Sequence, residues 1–107
     1  MILRIWRGWT APEDAAAYER FLTDPDDGLL TTMAADGYRG FELGRHDDGD
    51  EVAFVTILRF ADYDAVEAFA GENYEQAHVP EEAREFLSRW EEDVAHYERR
   101  AGEDAAD

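Results

Sequence analysis

Between Glu51 and Phe60 the chain reads EVAFVTILRF. Val52, Phe54, Thr56, Leu58 and Phe60 fall on one side of an extended strand, and Ala53, Val55 and Ile57 on the other before Arg59 ends the pattern. A strand that is apolar on both faces belongs inside a sheet that is covered twice. The chain has 107 residues, which leaves room for one domain and a single core. Whatever covers the second face of that strand must therefore be found with little chain to spare.

The flanking segments supply the rest of a sheet and one helical layer. Tyr38 to Arg45 is a second strand-like run, joined to Glu51–Phe60 by His46-Asp-Asp-Gly-Asp50, whose Asp and Gly content predicts a hairpin turn. Residues 2–9, ILRIWRGW, read as a strand of mixed character on both faces. Thr10-Ala-Pro-Glu13 has the spacing of a capping box, with Thr10 at the N-cap and the proline in the first turn. The helix it opens places Tyr18, Phe21, Leu22 and Leu29 on one face, interrupted by DPDDG at 24–28. The helix either kinks there or gives way to a second short helix over 29–35.

Asp62 is the N-cap expected for a helix over 63–70, with Tyr63, Val66, Phe69 and Ala70 on one face and Gly71 as its stop. Pro80 opens a further helical stretch in which Ala83, Phe86, Leu87 and Trp90 recur at helical spacing. Val94 to Arg99 alternates as a last strand. The order β-α-β-β-α-β predicts an α+β, ferredoxin-like sandwich, a four-stranded antiparallel sheet with its helices on one face. It forms a single domain over residues 1–100, with an acidic disordered tail over 101–107. Since helices cover one face only, the apolar second face of 51–60 predicts a homodimer in which two sheets pack together.

Charge narrows the partners. With 27 acidic residues, 10 arginines and no lysine, the formal charge is −17. Such a field repels phosphate backbones and anionic membrane surfaces, and the arginines form no basic stripe. The expected partners are the protein itself and a small hydrophobic or aromatic molecule, with no nucleic acid and no membrane. No apolar run approaches the roughly 20 residues of a membrane-crossing helix, and Arg4 and Arg7 interrupt what would be a leader's apolar core. The expectation is a cytoplasmic protein. Its self-repulsion is screened at molar salt, which predicts a halophilic source. Without cysteine there is no disulfide and no thiolate metal site.

Taken together, RIWRGW at 4–9, GYRGFEL at 37–43, VTILRF at 55–60, DAVEAFAG at 64–71 and VPEEAREFLSRW with HYERR at 79–100 resemble the dimeric α/β-barrel proteins of the antibiotic biosynthesis monooxygenase type. The resemblance spans residues 2–100. It implies a dimeric α/β barrel and a pocket between helices and sheet in each subunit. It also implies cofactor-independent oxidation of an electron-rich aromatic. The haem-degrading members of that superfamily carry an Asn on the first strand, a Trp on the third and a His after the second helix. Only His78 falls in a comparable region here, so no cofactor is expected, with haem as the alternative.

Several residues are candidates for chemistry, each with a bland counterpart. His78, two residues before Pro80, is the candidate catalytic base, or else a helix-entry residue without chemistry. Arg4, Trp6, Phe54, Tyr74, Trp90, His96 and Tyr97 are candidates for lining an aromatic binding pocket, or else for the core or a dimer interface. Asp47, Asp48, Asp50 and Glu51, like Asp24, Asp26 and Asp27, read as solvated turns, and no metal site is expected. Ser88 is the single serine and falls in the helical stretch after Pro80, so a serine nucleophile is not expected. The competing class is a non-enzymatic dimer that binds a small ligand, haem included, or serves in stress.

Overall fold

The computed structural model describes residues 1–103. It is an α+β structure built on one open antiparallel sheet, compatible with a ferredoxin-like plan. The strands are β1 (Ile2–Thr10), β2 (Tyr38–Asp47), β3 (Val52–Phe60), β4 (Leu87–Trp90) and β5 (Ala95–Glu98). Their order is β2-β3-β1-β4, with β5 also paired to β1. The helices of more than one turn are α1 (Ala15–Thr23) and α2 (Tyr63–Ala70). The expected tail at 101–107 lies outside the described residues from 104 onward.

β3 is central, as its two apolar faces require. It pairs with β1 from Ile2↔Phe60 to Thr10↔Val52 and with β2 through Asp47↔Val52. Even-numbered residues of both central strands face the helices, and Ile2, Arg4, Thr10, Val52, Phe54, Leu58 and Phe60 are buried there. Tyr18 of α1 meets Phe54 edge-on with ring centres 5.0 Å apart, and Phe69 of α2 meets Phe60 at 5.2 Å. Burying large aromatics against a sheet is the main stabilising term in a domain this small. The opposite face carries Leu3, Ile5, Val55 and Ile57, all only half-buried.

Three local expectations are corrected. Thr10 is the last residue of β1 rather than a cap. The short 3-10 turn Pro12–Asp14 starts from Ala11 and has no side-chain cap, because the paired strand holds Thr10 in the sheet. Neither a kinked helix nor a second helix occupies 29–35. α1 ends at Thr23, where Asp24 Oδ1 accepts the backbone N–H groups of Asp26 (2.9 Å) and Asp27 (3.0 Å), and turns follow. An Asp side chain that bonds its own turn competes with helix propagation.

The third correction lies at 80–90, where the helical spacing predicts one continuous helix. A single turn, α3 (Glu81–Arg84), gives way to β4. The buried backbone of β1 around Gly8 and Thr10 needs a pairing partner on that edge, and β4 supplies it through Gly8↔Trp90 and Thr10↔Leu87. A lost ladder on a buried strand costs more than a local helical preference returns. β4 and β5 run along the same edge of β1, separated by residues 91–94, so the sheet has five strands rather than the four expected. By contrast α2 starts and stops as read: Asp62 Oδ1 accepts from Ala65 N (2.9 Å), and Gly71 takes a positive φ of 87°.

Candidate functional site

Between the helical layer and the sheet lies a cavity of about 270 Å³. Arg4, Trp6, Thr56 and Leu58 form its floor, all from the helix-facing side of β1 and β3. α1 contributes Tyr18 and Leu22, and the turns after it contribute Leu29, Leu30 and Met33. Phe69 of α2, the segment Ala77–Pro80, Ala83 and Val94 complete it. The lining is mostly apolar, with a few polar groups at chosen places, the usual constitution of a small-molecule site.

Arg4 is the most unusual of these groups. It is only 9% exposed, and its Nη1 donates to the Tyr74 carbonyl (2.6 Å) and to His96 Nε2 (2.9 Å). Among the described residues no carboxylate lies within ion-pair distance of it, whereas Arg7, Arg45, Arg59, Arg89 and Arg100 all have one at the surface. Burial lowers the Arg4 pKa, and burial followed by the Arg4 charge lowers that of His96. An imidazole that accepts through Nε2 is neutral and carries its proton on Nδ1.

The bond to Tyr74 also positions the segment that carries His78. Residues 75–77 pair with 92–94: Val94 N donates to Glu75 O (2.7 Å) and Ala77 N to Glu92 O (2.8 Å). Clamped by β-type bonds on one side and by Arg4 on the other, the segment holds Ala77, His78 and Val79 against the cavity. His78 is exposed and lines the cavity from its rim.

The candidates read from sequence thus separate into groups. Arg4, Trp6 and His78 come together on the cavity. Tyr74 and His96 stand behind Arg4, their rings edge-on at 5.1 Å, outside the lining itself. Phe54 is 1% exposed in the core under Tyr18. Trp90 pairs beside Gly8 and stacks under the Arg84 guanidinium at 5.8 Å. Tyr97, opposite Leu3, is 58% exposed on the sheet's other face.

Tyr18 is legible in the sequence only as a core residue on the apolar stripe of α1, which aims it inward. It is 2% exposed, lines the cavity, and burial pushes its phenol up to about 12. Among the described residues no cluster of three or more His, Asp or Glu side chains could hold a metal ion. No helix there is long and apolar enough to cross a membrane. No family model matches the chain, and no curated protein matches it.

Proposed function

We propose that this protein is a small monooxygenase of the antibiotic biosynthesis monooxygenase type, oxidising an electron-rich aromatic in the helix–sheet cavity without a cofactor. The observation that supports the reading is the cavity, apolar over most of its surface yet lined by Arg4, Tyr18 and His78. A dry site raises the strength of each electrostatic contact and keeps water from a reactive intermediate. His78 takes a proton from an acidic methylene beside the ring. The carbanion gives electrons to O2, a C–O bond forms, and the returned proton makes a hydroperoxide. Loss of water across that C–H and O–O pair leaves a carbonyl, so the methylene and O2 become C=O and H2O with the substrate as its own reductant.

The same reading includes the ferredoxin-like plan and its pairing into a dimeric α/β barrel. Half-buried Leu3, Ile5, Val55 and Ile57 support a face that a second subunit covers.

The second reading, ligand binding without chemistry, is favoured by one observation: His78 makes no side-chain hydrogen bond among the described residues, so nothing orients its ring as a base. Oxygen uptake with a panel of anthrone-like and quinol substrates separates the two. The oxygenase reading expects one O2 per substrate and a loss of about 10²-fold or more in His78→Ala. Saturable binding with no oxygen consumed leaves the binding module. A haemin titration that gives a Soret band lost in His78→Ala would instead make the bound ligand haem.

A further inference from the structure

The Arg4 guanidinium has five N–H donors, and only Nη1 is engaged, by the Tyr74 carbonyl and His96 Nε2. Its Nε and Nη2 have no partner among the described residues. They are not sealed in protein either: among the described residues the buried side-chain polar atoms without a partner are Thr10 Oγ1 and Tyr38 Oη. Arg4 is one of the residues that line the cavity. The Nε–Nη2 edge is the one this chain uses to grip carboxylates elsewhere. Arg7 holds Glu91 through Nε (3.2 Å) and Nη2 (3.0 Å), and Arg89 holds Glu51 through Nε (3.1 Å) and Nη2 (2.8 Å). The buried arginine keeps the same parallel fork open.

At the other end of the cavity Tyr18 is in a similar position. Its hydroxyl has no partner among the described residues and is not sealed. Tyr18 stands over Phe54, which pairs with Gly8, whereas Arg4 pairs with Leu58. The strand positions beneath the two side chains are therefore four residues apart, about 13 Å of backbone. Trp6 and Thr56, directly paired, lie between them on the floor.

We propose that the cavity takes a small organic carboxylate, its acid group held by Arg4 and its apolar or aromatic body lying over Trp6 and Thr56 towards the Tyr18 hydroxyl. The proposal rests on the reading above that the cavity holds a small ligand, and adds its charge and orientation. A bidentate guanidinium–carboxylate pair in a site shielded from water is the strong form of this contact. The net charge of −17 opposes any incoming anion. That repulsion is long-ranged and screened by salt, whereas a contact at Arg4 is buried and little screened. Affinity for the acid should therefore hold or rise with salt, opposite to an anion on surface arginines.

The test is a titration of the full chain with 4-hydroxyphenylacetate and with its neutral amide, followed by tryptophan fluorescence at about 0.1 M and about 1 M KCl. The acid is expected to bind about tenfold or more tighter than the amide, with no loss at high salt. In Arg4→Gln the acid falls to the level of the amide while amide binding persists. Should Arg4→Gln not fold, the wild-type comparison of acid and amide still decides. Equal binding of the two in wild type overturns the carboxylate assignment and leaves cavity binding standing. An acid preference that vanishes at high salt overturns it too, pointing to surface arginines. No response to either probe at millimolar concentration removes the cavity reading together with the proposal.

Discussion

Arg4 Nη1 and His96 Nε2, 92 residues apart in sequence, lie 2.9 Å from each other because β1 and β5 pair Arg4↔His96. Burial first, and then the neighbouring Arg4 cation, disfavour the charged imidazolium, so His96 resists protonation. The folded protein has a His96 pKa below 6.5, while the unfolded chain has the ordinary value. Between the two the unfolded state binds the proton that the folded state refuses. Stability from this pair is complete above about pH 6.5 and is lost as pH falls through the folded value. Denaturant midpoints from pH 8 to pH 5 should fall, and His96→Gln, which keeps an acceptor for Arg4, should flatten the pH 5–7 part of that slope. An unchanged slope in the variant would mean that His96 titrates normally.

Thr10 offers a stabilising change. Its side chain is fully buried, and its hydroxyl has no partner among the described residues. Thr10→Val keeps the shape and removes a desolvated polar atom, which should add about 1 kcal/mol. A chain of this size would then melt about 4 °C or more higher. A lower melting point would show that the hydroxyl is in fact satisfied, for example by a buried water.

Phe54 acts through the core, not the ligand. At 1% exposed, edge-on to Tyr18, its truncation to Ala should cost about 3–5 kcal/mol, a large share of a small domain's stability. Circular dichroism melts should show that loss, with any binding by the folded fraction unchanged. A Phe54→Ala protein of wild-type stability with impaired binding would place Phe54 in the site.

Salt should stabilise the fold. The surface pairs Arg7–Glu91 and Arg89–Glu51 each contribute at most about 1 kcal/mol and weaken with salt. Self-repulsion from a net charge of −17 weakens as well, and it is summed over the whole surface. The second effect should win, so the melting point rises between low salt and molar KCl. A constant or falling melting point would remove the halophilic expectation.

Much of the architecture is legible in the residues, and the reasons differ by element. Val52–Phe60 carries its central position in its own two-residue period, and Asp62 and Gly71 mark the ends of α2 because caps are local chemistry. Leu87 and Trp90 also fit helical spacing, so only the pairing demand of β1, a non-local fact, turns them into a strand. In the site, Arg4, Trp6 and His78 are visible as residue types, yet their meeting depends on the irregular segment 71–80 and its clamp on 92–94. Tyr97 and Phe54 illustrate the limit of listing aromatics: on the two strands that flank β1, an odd or even position decides between the outer face and the core.

The most direct test of the helix–sheet cavity as the functional site is a ¹H–¹⁵N NMR titration of the uniformly labelled protein with 4-hydroxyphenylacetate. The account predicts saturable shifts that cluster on the Trp6 side-chain N–H and the amides of Arg4, Tyr18, Met33, Thr56 and Ala77–Val79. Shifts confined to the opposite sheet face, around Ile5, Val55, Ile57 and Tyr97, would contradict it.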